Sequence, residues 1–282
     1  MRIHAVMTGF ILFAAMALAP PLHAEVILSV HPFKPPRQLM ESFSPLAKYL
    51  SGKLGEPVSV RISRDYQTQI DALGKSEVDL AYLGPVSYVK LVEAYGARPL
   101  LARQAIRGNP VFHAKIFVRA DSPIQSLADL AGKRFAFGEP RSTMSHIVPH
   151  YMLWQAGIET KQLASHKFVG DLVNVALGVL AGDFDAGAVK EDVFFEYEKR
   201  GLRAIATSLP ISDHVFVASA RMPEEKLRKV RELLLGLDKD ARAPAILQAL
   251  TRGVTALAPV ADSDYDALRA VLRKTRELGV QY

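Results

Sequence analysis

Between Phe137 and His146 the chain reads Phe-Gly-Glu-Pro-Arg-Ser-Thr-Met-Ser-His. An apolar run ends there, glycine and proline turn the backbone, and hydroxyl residues open what the following pattern marks as a helix. The first turn of a helix leaves backbone N–H groups unpaired and carries partial positive charge, so Ser142, Thr143 and Ser145, with Met144 between them, form a place where amides and hydroxyls could hold an oxyanion together. Plain N-capping by Ser142 accounts for the same residues. Residues 78–88 repeat the strand, tight turn and helix order: Gly84 would let a backbone approach a ligand closely, and Tyr82 would set an amphipathic ring at the strand's carboxyl end. A packed core tyrosine is the competing reading.

Other chemistry has less support. His146 and His150 stand four apart on one expected helix, but no acidic residue lies between them and the His-Glu-x-x-His pattern of zinc hydrolases is absent, so no metal site is expected. There is no Gly-x-Ser-x-Gly elbow and no glycine-rich nucleotide loop, and neither an enzyme nor a cofactor is expected. Lys and Arg are scattered rather than gathered in a block, which argues against nucleic acid as a partner despite a formal net charge of +6.

The elements that must position these residues alternate short β-rich runs with helical patterns, the signature of α/β layers. Strands are expected at 26–30, 58–62 and 78–83, with helices opening at Ser44-Pro45, over 67–73 and over 85–93. The rhythm restarts after Gly108-Asn109-Pro110. Strands at 113–118, 134–137, a stretch ending at Val169, 184–189 and 203–206 are separated by helices through Leu127 and Leu130, over 143–155, over 172–181 and over 191–199. After a strand at 215–219 only helices are expected, over 223–235, near 244–250 and over 264–276, and helices alone cannot form a sheet. They must return to the first unit. The expected layout is therefore one discontinuous lobe of residues 25–111 and 212–282 and a second of residues 112–211, with two hinge crossings near 110–114 and 207–213 and a ligand cleft between the lobes.

Residues 1–24 read separately. Arg2, an apolar run over 6–18, Pro20-Pro21 and Ala24 have the layout of a cleaved secretory signal, and the run is too short for a spanning helix. The chain has no cysteine, which excludes disulfides, thiolate metal sites and a lipid-modified cysteine anchor. A monomer untethered in the periplasm is expected.

In order and content these segments resemble the phosphate/phosphite/phosphonate-binding receptors of bacterial ABC importers, the PhnD-like family. The likeness rests on the string Ser44-Pro45-Leu46-Ala47-Lys48-Tyr49-Leu50, on Arg64-Asp65-Tyr66, on residues 78–87, on residues 126–133, on Glu139-Pro140-Arg141-Ser142-Thr143, and on residues 182–189. It implies a type II periplasmic-binding architecture, two α/β lobes closing on a small ligand and presenting the closed form to a membrane permease. Tyr66, Ser142, Thr143 and Asp213 match the family's ligand residues. The chain departs from it at Met144-Ser145, where the family has Ser-Gly, at Phe112, where it has Tyr, and at Leu172, where it has His. Those replacements remove donors a phosphonate dianion needs. Asp171 and Asp192, near helix starts, leave an amino-bearing or neutral solute open, with capping and solvation as their alternative roles. A ligand sensor docking on a membrane kinase would use the same closure. The expected ligand contacts are Ser142, Thr143 and backbone N–H groups from one lobe with Tyr66 and Tyr82 from the other.

Overall fold

Residues 25–280 are described in the computed structural model, and the expected export signal, residues 1–24, lies outside the described residues. The apolar run after Glu25 forms β1 (Val26–Val30), which leads into α1 (Pro36–Leu54). Leu39, Phe43, Leu46 and Leu50 recur at three- and four-residue spacing and give α1 one buried stripe. The expectation of a helix opening at Ser44-Pro45 is corrected here, because α1 carries Pro45 in its interior. Ser44 does not cap; its hydroxyl donates to the Met40 carbonyl at 2.6 Å. A proline inside a helix removes one backbone bond, and the long buried stripe outweighs that loss.

β2 (Val58–Ile62), α2 (Tyr66–Gly74), β3 (Leu80–Leu83) and α3 (Pro85–Tyr95) continue the alternation, and β1 pairs in parallel with both β2 and β3. β4 (Leu100–Ile106) turns back, and the chain then leaves through the short crossing strand β5 (Val111–Phe112). The second sheet is built from β6 (Ala114–Arg119), β7 (Arg134–Phe137), β8 (Ser165–Phe168), β9 (Ala186–Lys190) and β10 (Leu202–Thr207) in the order β10-β6-β9-β7-β8. It carries α4 (Val148–Gln155), α5 (Leu172–Ala181) and α6 (Glu191–Glu198). The helix expected through Leu127 and Leu130 is a single turn, Ala128–Leu130; the Asp129 carboxylate holds it by accepting the N–H groups of Gln125 and Ser126, both at 2.9 Å.

The return crossing, β11 (Ile211–Ser212), pairs antiparallel with β5, and β12 (Val215–Ala218) then inserts between β3 and β4. α7 (Glu224–Leu235) and α8 (Ala243–Leu250) follow as expected, but a strand, β13 (Val254–Ala258), precedes α9 (Asp266–Glu277). The expectation that only helices follow residue 219 is thereby corrected. β13 completes a six-stranded sheet in the order β13-β4-β12-β3-β1-β2, pairing antiparallel to β4 on the edge, where a register irregularity between Val254 and Ala256 lets Val254 and Leu257, three residues apart, both be buried.

The two crossings are pinned together at one level. Asp213 N–H donates to the Pro110 carbonyl at 3.0 Å, Ala114 N–H to Ser208 Oγ at 2.9 Å, and Tyr265 Oη to the Asp213 carbonyl at 3.0 Å. Movement of one sheet against the other is thus confined to a narrow double strand.

Candidate functional site

A small cavity lies between the two sheets. Its walls come from chain ends that the α/β order brings together: His31 follows β1, Tyr66 opens α2, Gly84 separates β3 from α3, and His214 precedes β12. From the other lobe come Ser142 to Met144 after β7, Leu172 at the start of α5, and Lys190 at the end of β9, while Phe112 lies in the crossing strand. Convergence of strand carboxyl ends and helix starts is where such folds place ligands. The lobes meet directly at the rim. Val86 N–H, in the first turn of α3, donates to Thr143 Oγ1 at 3.0 Å, Leu172 N–H donates to the Phe33 carbonyl at 3.2 Å, and Lys34 pairs with Glu196 at 2.9 Å.

The first wall is a stack of rings. His31 and His214 lie with centroids 5.3 Å apart and planes 10° from parallel, and the Tyr82 ring stacks on His214 at 5.0 Å. His31 Nδ1 is 3.1 Å from the Tyr82 carbonyl, an acceptor only, so Nδ1 carries the proton. His214 Nδ1 donates to Asp213 Oδ1 at 2.9 Å. Burial pushes both imidazoles well below their usual pKa; for His31 the next cause is the charge of His214, and for His214 it is Lys190. Asp213, fully buried, also accepts its neighbour's backbone N–H at 2.6 Å; burial nevertheless raises its carboxyl to about 7, against the hydrogen bonds and the attraction of Lys190.

On the opposite wall, Ser142 caps a widened turn. Its Oγ accepts Ser145 N–H at 3.3 Å, and its carbonyl accepts the N–H groups of His146 and Ile147, each at 3.1 Å, before the chain settles into α4. The i to i+5 bond is a π-type turn, a feature that recurs at functional sites. Glu139 lies behind this turn with its carboxylate accepting Arg141 N–H at 2.6 Å, and burial lifts its pKa to about 7 against that bond and the Arg141 charge. Lys190 is the wall's cation. Only 3% of its side chain is exposed, Nζ lies 4.4 Å over the Phe33 ring and 3.1 Å from Asp192 Oδ2, yet the angles of that ion pair suit no hydrogen bond and both atoms remain without one. A buried ammonium on a cavity wall with donors unspent is a strong call for an acceptor.

Of the residues singled out in the sequence, Tyr66, Gly84, Phe112, Ser142, Thr143, Met144 and Leu172 line the cavity. Tyr82, Ser145, Asp192 and Asp213 stand one layer behind. Tyr82 spends its hydroxyl on Gln104 at 2.7 Å and offers only its ring, Ser145 donates to the Ala188 carbonyl at 2.5 Å, Asp192 backs Lys190, and Asp213 orients His214. Asp171 is the N-cap of α5, accepting Asn174 N–H at 3.0 Å. Sequence reasoning missed His31, Phe33, Lys190 and His214. For Lys190 a signal existed: a lysine closing the otherwise apolar run of β9 sits where strands deliver side chains to a cleft. His146 and His150 are ring neighbours 5.7 Å apart, and burial lowers His146 to about 4. Among the described residues no group of three or more His, Asp or Glu is placed to hold a metal ion.

Residues 28–265 match the family described as "ABC transporter, phosphonate, periplasmic substrate-binding protein". Among curated proteins, the phosphate-import protein PhnD of Mycolicibacterium smegmatis is 25% identical over 274 residues, covering 87% of this chain and 84% of that protein. The phosphonates-binding periplasmic protein of Escherichia coli is 28% identical over 152 residues, 51% of this chain and 45% of that one. Among solved structures, PhnD1 from Prochlorococcus marinus in complex with methylphosphonate superposes with a TM-score of 0.82 at 22% identity, over 89% of this chain and 98% of the other.

Proposed function

The chain belongs to the phosphonate family of ABC-transporter periplasmic substrate-binding proteins, and from that premise we propose that it captures a small oxyanion of the phosphonate, phosphite or phosphate kind in the interlobe cavity and presents the closed form to a membrane permease. The observation that carries the reading is Lys190, an ammonium buried on the cavity wall without a hydrogen bond, beside the hydroxyls of Ser142 and Thr143. An anion placed there gains charge-assisted bonds that no protein group supplies. In this reading residues 25–111 and 212–282 form one lobe and 112–211 the other, hinged at β5 and β11, and the protein works in the periplasm as a monomer after loss of residues 1–24. Thr143 has a double part: it already accepts the first-turn N–H of α3, so its proton is left to donate inward while its oxygen holds the lobes together.

A thermal-shift and calorimetric screen of phosphate, phosphite, methylphosphonate, sulfate and small amines tests this, since a ligand that binds only the folded state must raise the melting temperature. A phosphorus oxyanion is expected to stabilise the protein, and Ser142→Ala to weaken that binding about tenfold, the value of roughly one hydrogen bond to a charged group. A response only to amines would overturn the reading in favour of a solute held by Asp192.

A further inference from the structure

The stacked histidines specify more than the class of ligand. Resting on the oxyanion reading above, we infer that the cavity takes its ligand as a monoanion that keeps one acidic hydroxyl, a singly protonated tetrahedral oxyacid, donating that hydroxyl to the imidazole wall and accepting with its ionised oxygens from Lys190, Ser142 and Thr143.

The tautomers follow from the partners. His31 Nδ1 faces a backbone carbonyl and His214 Nδ1 a carboxylate, and both must be given a proton, so in each neutral ring Nε2 holds a lone pair. Gly84 marks where these atoms converge: a Cβ on it would lie 3.7 Å from His214 Nε2, 3.8 Å from Thr143 Oγ1 and 3.9 Å from His31 Nε2. With glycine there, a ligand atom can enter that space. A fully ionised oxyanion offers only acceptors, and an oxygen entering between the two Nε2 atoms would meet two lone pairs. One retained hydroxyl turns the clash into a hydrogen bond.

Charging the rings is the other way to make donors, and the surroundings oppose it. The imidazoles stack on each other at 5.3 Å, are buried, and stand near Lys190, so a further positive charge meets repulsion from its neighbour and from the ammonium. The other ionisable groups around the rings are Asp213 under His214, Asp192 beside Lys190, the Tyr82 ring, and Tyr66 with Glu139 at the far side. Of these, only Lys190 brings a positive charge to the cavity wall, and Asp192 already compensates it at 3.1 Å. A second ligand charge would go uncompensated in a dry site.

The test is calorimetry of the purified protein with methylphosphonate and with methanesulfonate between pH 5.5 and 8.5. These are matched tetrahedral acids, but the sulfonate is a monoanion without a hydroxyl at every pH in that range. Methylphosphonate affinity is expected to fall about tenfold per pH unit above the ligand's second dissociation, with uptake of about one proton per ligand bound there, read from buffers of different ionisation enthalpy. Methanesulfonate should bind weakly with no such slope. A methylphosphonate affinity that is flat or rises with pH overturns the inference while leaving the oxyanion reading intact. An equal slope for methanesulfonate also overturns it, because the titrating proton is then the protein's. If phosphite, phosphate and methylphosphonate all fail to bind at every pH, the oxyanion reading itself fails, and this inference with it.

Discussion

On the wall built by β1, β3 and the residue before β12, the polar atoms of the stacked rings are committed: Tyr82 to Gln104, His31 to a carbonyl, His214 to Asp213. On the wall built by β7 and β9, Lys190 and Asp192 touch at 3.1 Å without a hydrogen bond, and the Thr143 hydroxyl accepts a bond but has a proton to give. One wall presents two imidazole lone pairs whose rings are held in place; the other presents an ammonium that still lacks a hydrogen bond. The difference teaches that recognition here is divided by polarity, not shared evenly. The settled wall can discriminate between ligands because it will not rearrange, while the unsettled wall supplies attraction because it still lacks partners.

The largest expected break in that contrast is at Lys190. Lys190→Met leaves Asp192 buried and unpaired, which costs about 3–5 kcal/mol of folding stability, and it should abolish oxyanion binding in calorimetry. Replacing both partners, Lys190→Met with Asp192→Leu, should recover most of the melting temperature, since an apolar pair of similar volume is often neutral or better, yet binding should stay lost. Recovery of binding in the double variant would show that attraction does not come from the ammonium, and the assignment of roles to the walls would collapse.

The next effect is a pH dependence that draws on both walls. Glu139 behind the Ser142 turn and Asp213 behind His214 are each raised to about 7 by burial. A carboxyl whose folded pKa lies above its unfolded value favours folding when protonated, so its contribution is full below about pH 4.5 and is lost as pH rises through 7. Stability measured by urea unfolding should therefore decline from pH 5 to 8. Glu139→Gln keeps an acceptor for Arg141 N–H but cannot ionise. It should match the parent at pH 4.5 and exceed it by on the order of 2 kcal/mol at pH 8. The decline that survives in this variant reports Asp213, so the experiment apportions the strain between the walls. No difference at pH 8 would place Glu139 in contact with water.

How far the two walls could be read from the sequence follows from the same division. Ser142 and Thr143 were legible because a capped helix start after a strand is a local pattern, and the crossing near residue 112 was legible because the β-rich rhythm restarts there. His31 and His214 were not, because each stands alone in the sequence and only the insertion of β12 beside β3 brings them together. The same insertion hid the mixed sheet. β4, β12 and β13 are antiparallel partners whose pairing depends on chain return, which no local period records. Pro45 misled for the opposite reason: a strong local signal for a helix start was overridden by a helix that begins nine residues earlier, at Pro36, and buries a stripe from Leu39 onward.

The smallest change that sharpens the comparison is at the seam between the walls. Phe112, in the crossing strand, lines the cavity and meets His214 edge to face at 5.1 Å, and it stands where the resemblance places a tyrosine. Phe112→Tyr adds one hydroxyl next to the two imidazole lone pairs. A phenol can donate to an ionised oxygen, so the wall would gain a further donor for a fully ionised ligand. The net worth of one such bond is about 0.5–1.5 kcal/mol, which sets the expected gain in methylphosphonate affinity at pH 8.5 at only a few fold, with little change at pH 5.5. The pH slope of binding should flatten accordingly. An equal gain at both pH values would mean that the hydroxyl merely adds contact, and that the lone pairs of His31 and His214 do not set the ligand's protonation state.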